Sequence, residues 1–85
     1  MLQGPIRLSA YWTKQLVAQP ETGMGYQIVT VKLRDGRKYK QTIVDSGYIT
    51  RVRGIDHIPF TEDDIAEIIV THDKWDFRNE PLTGK

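Results

Sequence analysis

Two histidines lie beside acids in this 85-residue chain, Asp56-His57 and His72-Asp73, with Asp76 close behind. Imidazole and carboxylate together are the raw material of a metal site, or of a general base held by an orienting acid. Neighbouring residues of an extended chain point to opposite sides, so neither pair chelates by itself, and the spacing matches no ligand motif. Histidines that sit on the surface or anchor loops explain both pairs. The other catalytic residue types are sparse. Ser9 and Ser46 are the only serines, Ser46 lies in a turn that accounts for it, there is no Gly-x-Ser-x-Gly stretch, and there is no cysteine. Glu62-Asp63-Asp64 places three carboxylates together, but they open a helical turn, where acids suit the helix dipole. Gly23-Met24-Gly25 is too short to cradle a phosphate and precedes a strand rather than a helix. The expectation is a non-enzymatic protein with no cofactor and no metal.

Binding chemistry has more to draw on. Lys32, Arg34, Arg37, Lys38 and Lys40 fall on one hairpin, with Tyr39 and Tyr48 available for stacking. The net charge is +1, but residues 1–55 carry +6 and residues 56–85 carry −5. Two halves of opposite sign can neutralise each other within the fold, or steer a partner. Trp75 and Phe77 stand at i and i+2 on a polar stretch. Their structural explanation is that they fold back over the domain; their functional one is that they anchor in a partner or a second copy. The favoured function is therefore a small binding module acting through protein–protein interaction or self-association. The alternative is nucleic-acid binding through the basic hairpin, against which the near-neutral net charge counts. A metal-dependent or acid–base enzyme using the two histidines comes third.

The elements that must position these residues centre on Tyr26 to Val44. Val29, Val31 and Leu33 alternate with Thr30, Lys32 and Arg34, the pattern of a half-buried strand. A two-residue Asp35-Gly36 turn would set Leu33 against Lys38. A three-residue loop, Arg34-Asp35-Gly36, instead pairs Leu33 with Arg37, Val31 with Tyr39 and Val29 with Gln41, and uses Gly36 at the left-handed position. In that register Lys32 opposes Lys38, while Val29, Val31, Leu33, Tyr39 and Ile43 share a buried face. Arg51 and Arg53 fall by parity on the face of Tyr39 and Gln41. The lysines of a solvated outer face would also discourage edge pairing.

Around the hairpin, Ile6 to Ala18 reads as a strand from Tyr11, Trp12, Thr13 and Val17, although Leu8, Trp12 and Leu16 also stand at helical spacing behind a capping Ser9. A three-residue turn at Asp45-Ser46-Gly47 leads into a strand from Tyr48 to Arg53, pairing Ile43 with Ile49 and Val44 with Tyr48. Ile55 to Phe60 is irregular. Thr61 caps a short turn with Asp64 as the imperfect partner of a capping box, and Phe60 and Ile65 form its hydrophobic staple. The β-branched run Ile68 to Thr71 favours a last strand, against the competing reading of one helix through Val70.

The expected fold is all-β: about five short strands with one helical turn before the last. That order resembles the small SH3-like and Sm-like barrels, an analogy of architecture. One domain is expected over residues 1–77, with a mobile tail over 78–85. A domain this small, without disulfides, gains from oligomerisation. No apolar run is long enough to span a membrane and no signal-peptide pattern is present, so a cytoplasmic location is the default.

Overall fold

A computed structural model describes residues 4–55 and 57–75. It is mostly β: β1 (Ile6–Arg7), β2 (Tyr26–Leu33), β3 (Lys38–Asp45), β4 (Tyr48–Val52) and β5 (Ile65–Val70), with one helix, α1 (Ala10–Val17), and a 3-10 turn at Glu62–Asp64. All five strands are antiparallel in one sheet ordered β1-β4-β3-β2-β5, curled into a half-barrel. The hairpin β2–β3 is therefore interior, so its lysines do not guard an edge. The edges are β1 and β5.

The strand expected over residues 6–18 is corrected. Only Ile6 and Arg7 pair with β4, and a helix follows. Leu8 and Leu16 are buried and Trp12 packs beside them, so the four-residue spacing carries the segment onto the sheet's concave face. An open, curled sheet needs a cover for that face, and this need outweighs the local β propensity. The helix ends at Ala18 ahead of Pro20, and carbonyls of its last turn and of the segment after it find a donor across the fold. The buried amide of Gln27 on β2 donates to the carbonyls of Leu16 at 2.9 Å, Pro20 at 3.1 Å and Gln19 at 3.3 Å.

The hairpin loop forms as the parity argument requires. Val31 faces Tyr39, Lys32 faces Lys38, the Leu33 N–H donates to Arg37 at 2.8 Å, and Gly36 takes φ +97°. Further along the register shifts. Gln41 adopts φ +50° as a bulge, so Val29 pairs with Thr42, not Gln41. One extra residue reverses every later side chain of the strand. Thr42 and Val44 consequently turn inward, while Ile43 leaves the expected core face and sits opposite Ile28, both buried on the other side. The next turn is also corrected. Ser46 and Gly47, at φ +53° and +83°, form a two-residue primed turn with Asp45 opposite Tyr48 and Val44 opposite Ile49. Two successive left-handed residues match the strand twist better than the three-residue loop.

The core then assembles on the concave face from Leu8 and Leu16, the inward residues of β2 to β5, and Ile58 and Phe60 from the irregular segment. Phe60 lies 5.4 Å from the ring of Tyr39. Thr61 and Asp64 form the expected capping box: the Asp64 carboxylate accepts the Thr61 N–H at 2.9 Å and its hydroxyl at 3.2 Å. The 3-10 turn stops there, and Ile65 to Val70 is strand rather than helix.

Candidate interaction site

The five hairpin cations do not make one open patch. Arg37 is held by Asp35 within the loop, its Nε donating to the carboxylate at 2.8 Å while its backbone N–H donates to the other oxygen at 3.0 Å. The Asp35 carboxyl is held below its ordinary value, chiefly by that backbone N–H; desolvation opposes it, and the Arg37 side chain adds to the lowering. The Arg37 guanidinium is pushed up in turn, chiefly by its hydrogen bond to Asp35. Arg34 reaches the acidic turn: its N–H donates to the Asp64 carbonyl at 2.9 Å and its Nε to the Asp63 carbonyl at 3.0 Å. Lys32 lies across from Glu67 on β5, with Nζ 3.5 Å from the carboxylate. Arg34 is held by carbonyls rather than by an ion pair, and among the described residues Lys38 and Lys40 are the hairpin cations with neither kind of contact. The Lys32–Glu67 ion pair joins the basic half of the sequence to the acidic half, and Arg34 ties the hairpin to the backbone of the acidic turn.

Trp75 is half-buried, with the Arg53 guanidinium 5.9 Å from its ring centre, so it lies back against the domain. Phe77 and the boundary at residues 77–78 lie outside the described residues. The segment leading to Trp75 is fixed by a residue that carried no functional signal in the sequence. Gln41, in its bulge, donates from Nε2 to the carbonyl of Asp73 at 3.0 Å and accepts from Arg53 Nη1 at 2.6 Å. Just before, the N–H groups of Thr71 and His72 both donate to the Ile28 carbonyl. The chain therefore leaves β5, crosses β2 and reaches β3. Arg53 bonds to Gln41 as the sequence places it, but Arg51 stands opposite Ile43, on the outer face. Its shift follows from a second irregularity, in β4: between the pairs Val44–Ile49 and Ile43–Arg51 the strand carries one extra residue, Thr50.

Asp56 and Asp76 lie outside the described residues, and with them any pairing of His57 or His72 with those acids. His72 meets the Thr22 hydroxyl at 2.6 Å through Nδ1, and that hydroxyl accepts the Ile28 N–H at 2.9 Å. Among the described residues no group of three or more histidines and carboxylates is placed to hold a metal ion, and no helix is long and apolar enough to cross a membrane.

The feature that sequence reasoning missed is the free side of β5. The Thr71 N–H donates to Ile28, so by antiparallel alternation Ile69 and Glu67 aim their backbone groups at β2, while Ile68 and Val70 aim theirs away from the sheet. Nothing pairs with that edge among the described residues. The side chains of Ile68 and Val70 lean on the core yet stay only half-buried, and Ala66 is exposed. Beside the strand's first turn lies an open groove of about 420 Å³ lined by Lys32, Leu33, Gly36, Lys38, Ala66 and Glu67. No known family model, curated protein or solved structure matches the chain.

Proposed function

We propose that this protein is a small non-enzymatic binding module that receives an extended polypeptide strand along the free edge of β5. The observation that carries this reading is the edge itself. N–H and C=O groups at Ile68 and Val70 that no strand pairs with among the described residues supply directional hydrogen bonds, and the half-buried side chains beneath them supply apolar contact. Natural edge strands are usually blunted by lysine, proline or a covering element. β5, Ile-Ala-Glu-Ile-Ile-Val, carries neither residue. The engagement of Arg34, Arg37 and Lys32 by the chain's own acids and carbonyls favours a protein partner over a phosphate backbone. The likeness in element order to SH3-like and Sm-like barrels belongs to the same proposal and supports it by arrangement alone, as does a cytoplasmic site of action.

Titration of the labelled protein with a synthetic extended peptide of alternating valine and threonine, capped by lysines, tests the reading. The expected result is that the Ile68 and Val70 amide resonances move first and most. Unmoved edge amides, together with Lys38 and Lys40 responding to a single-stranded oligonucleotide at physiological salt, would replace it with the nucleic-acid reading.

A further inference from the structure

We propose that the cavity between the last turns of α1 and the ends of β2 and β3 is a binding site for a small alkylammonium ion. The ion donates its N–H groups to Gln27, Thr13 and Glu21 and lays its alkyl body against Leu16 and Val44. The site is separate from the free edge of β5 and independent of the strand-receiving role proposed for that edge. It measures about 240 Å³, below the roughly 300 Å³ at which pockets for drug-sized ligands begin, so its ligand is small.

Gln27 supplies the observation that carries the proposal. Its side chain lines the cavity and is more than nine-tenths buried, at 7% exposed. The Nε2 branch of the amide donates to the carbonyls of Leu16, Gln19 and Pro20. Those three acceptors fix which way the amide lies, since turning it over would set Oε1 against carbonyl oxygens. Oε1 therefore takes the other side, where it accepts no bond from a described residue and is not sealed from access. An acceptor on so buried a side chain calls for a donor in the cavity.

The remaining polar groups agree in sign. The Thr13 side chain stands next to Gly47 on the cavity wall, and its hydroxyl has no hydrogen-bond partner among the described residues. Glu21 is the one charged residue of the lining; it is exposed at the rim and makes no ion pair among the described residues. Its loop is fixed, because the Thr22 N–H donates to the Tyr26 carbonyl at 2.9 Å and the Thr22 hydroxyl accepts the Ile28 N–H at 2.9 Å. The C-terminal end of α1 adds partial negative charge. A carboxylate, an amide oxygen and a helix C-terminus repel an anion and receive a cation rich in N–H groups. The buried Leu16 and Val44, with Val17 exposed at the mouth, require that the rest of the ligand be apolar.

NMR titration of the full chain with isopentylammonium at neutral pH tests the assignment, with isovalerate as the probe of similar shape and opposite charge. The ammonium should move the Gln27 side-chain amide and the backbone amides of Leu16, Val17 and Val44 saturably, and the carboxylate should move none of them; this comparison needs no variant. Glu21→Gln, at an exposed position, should weaken the affinity by up to about five-fold. Thr13→Val, which keeps the shape and removes the hydroxyl, should weaken it by roughly two- to ten-fold, and both variants should melt with the native protein. An equal response to isovalerate would overturn the proposal. So would shifts confined to the surroundings of Glu21 with Gln27 unmoved, which would reduce the event to ion pairing at the surface. An absence of saturable shifts would assign the cavity to water and overturn it as well.

Discussion

Replacing Gln27 by methionine keeps the side chain's volume and removes its donors. In the native fold one buried amide serves the carbonyls of Leu16, Gln19 and Pro20, the shortest bond being that to Leu16 at 2.9 Å. The Leu16 carbonyl belongs to the last turn of α1 and also accepts the Gln19 N–H at 3.0 Å, while Gln19 and Pro20 follow the helix. Without Gln27 each carbonyl loses one donor but none is stranded: Leu16 keeps the Gln19 N–H, and the outer two are only partly buried and recover water. The loss is then that of a net hydrogen bond, about 0.5–1.5 kcal/mol. For a domain of this size each kcal/mol moves the melting temperature by about 4–8 °C, so Gln27→Met should melt roughly 5 °C lower. Gln27→Glu should be worse at neutral pH, because it aims a carboxylate at carbonyl oxygens. Burial and those oxygens disfavour its charged form and raise its folded pKa above the unfolded value. The extra destabilisation is then present above that pKa and relieved as pH falls through it, when protonation restores one donor. Thermal melts across pH, with hydrogen exchange of the α1 amides, provide the assay. If Gln27→Met melts with the native protein and α1 stays equally protected, the helix is held by apolar contact alone and the capping argument fails.

Two further perturbations test local claims. Asp64→Ala removes the acceptor of both the Thr61 N–H and its hydroxyl; it should cost about 1–2 kcal/mol, and Thr61→Ala, which keeps the N–H bond, about 0.5 kcal/mol, the order being checked by urea midpoints. Titration of the Asp35 carboxyl by NMR should give a value below the ordinary range, with the native loop losing this contribution as pH falls through that lowered value. Arg37→Ala should restore it only in part, since the backbone N–H is the largest cause and survives; full restoration would assign the effect to the guanidinium instead.

Local chemistry determined a good deal. Gly36 at the left-handed position, the loop Arg34-Asp35-Gly36, the inward Val29, Val31 and Leu33, the Thr61–Asp64 cap and the strand character of Ile65–Val70 all follow from residue types at short range, and the fold honours each. So does the opposition of Lys32 and Lys38. What only the tertiary structure decided depends on contacts between distant segments. Leu8, Trp12 and Leu16 became a helix because a curled sheet left its concave face to cover. The bulge at Gln41 is invisible to alternation, since the residue is neither glycine nor asparagine, yet it reverses Ile43; a separate irregularity in β4 turns Arg51 out opposite it. Gln41 takes that conformation where its side chain bonds the C-terminal segment and Arg53, partners 32 and 12 residues away in the chain. The basic hairpin looked available in part because the partners of Lys32 and Arg34, Glu67 and the Asp63 and Asp64 carbonyls, lie in a later segment that docks only on folding. The open side of β5 was hidden for the same reason: whether a strand is central or at an edge is a property of the assembled sheet, and the sequence of the strand records only that it can pair.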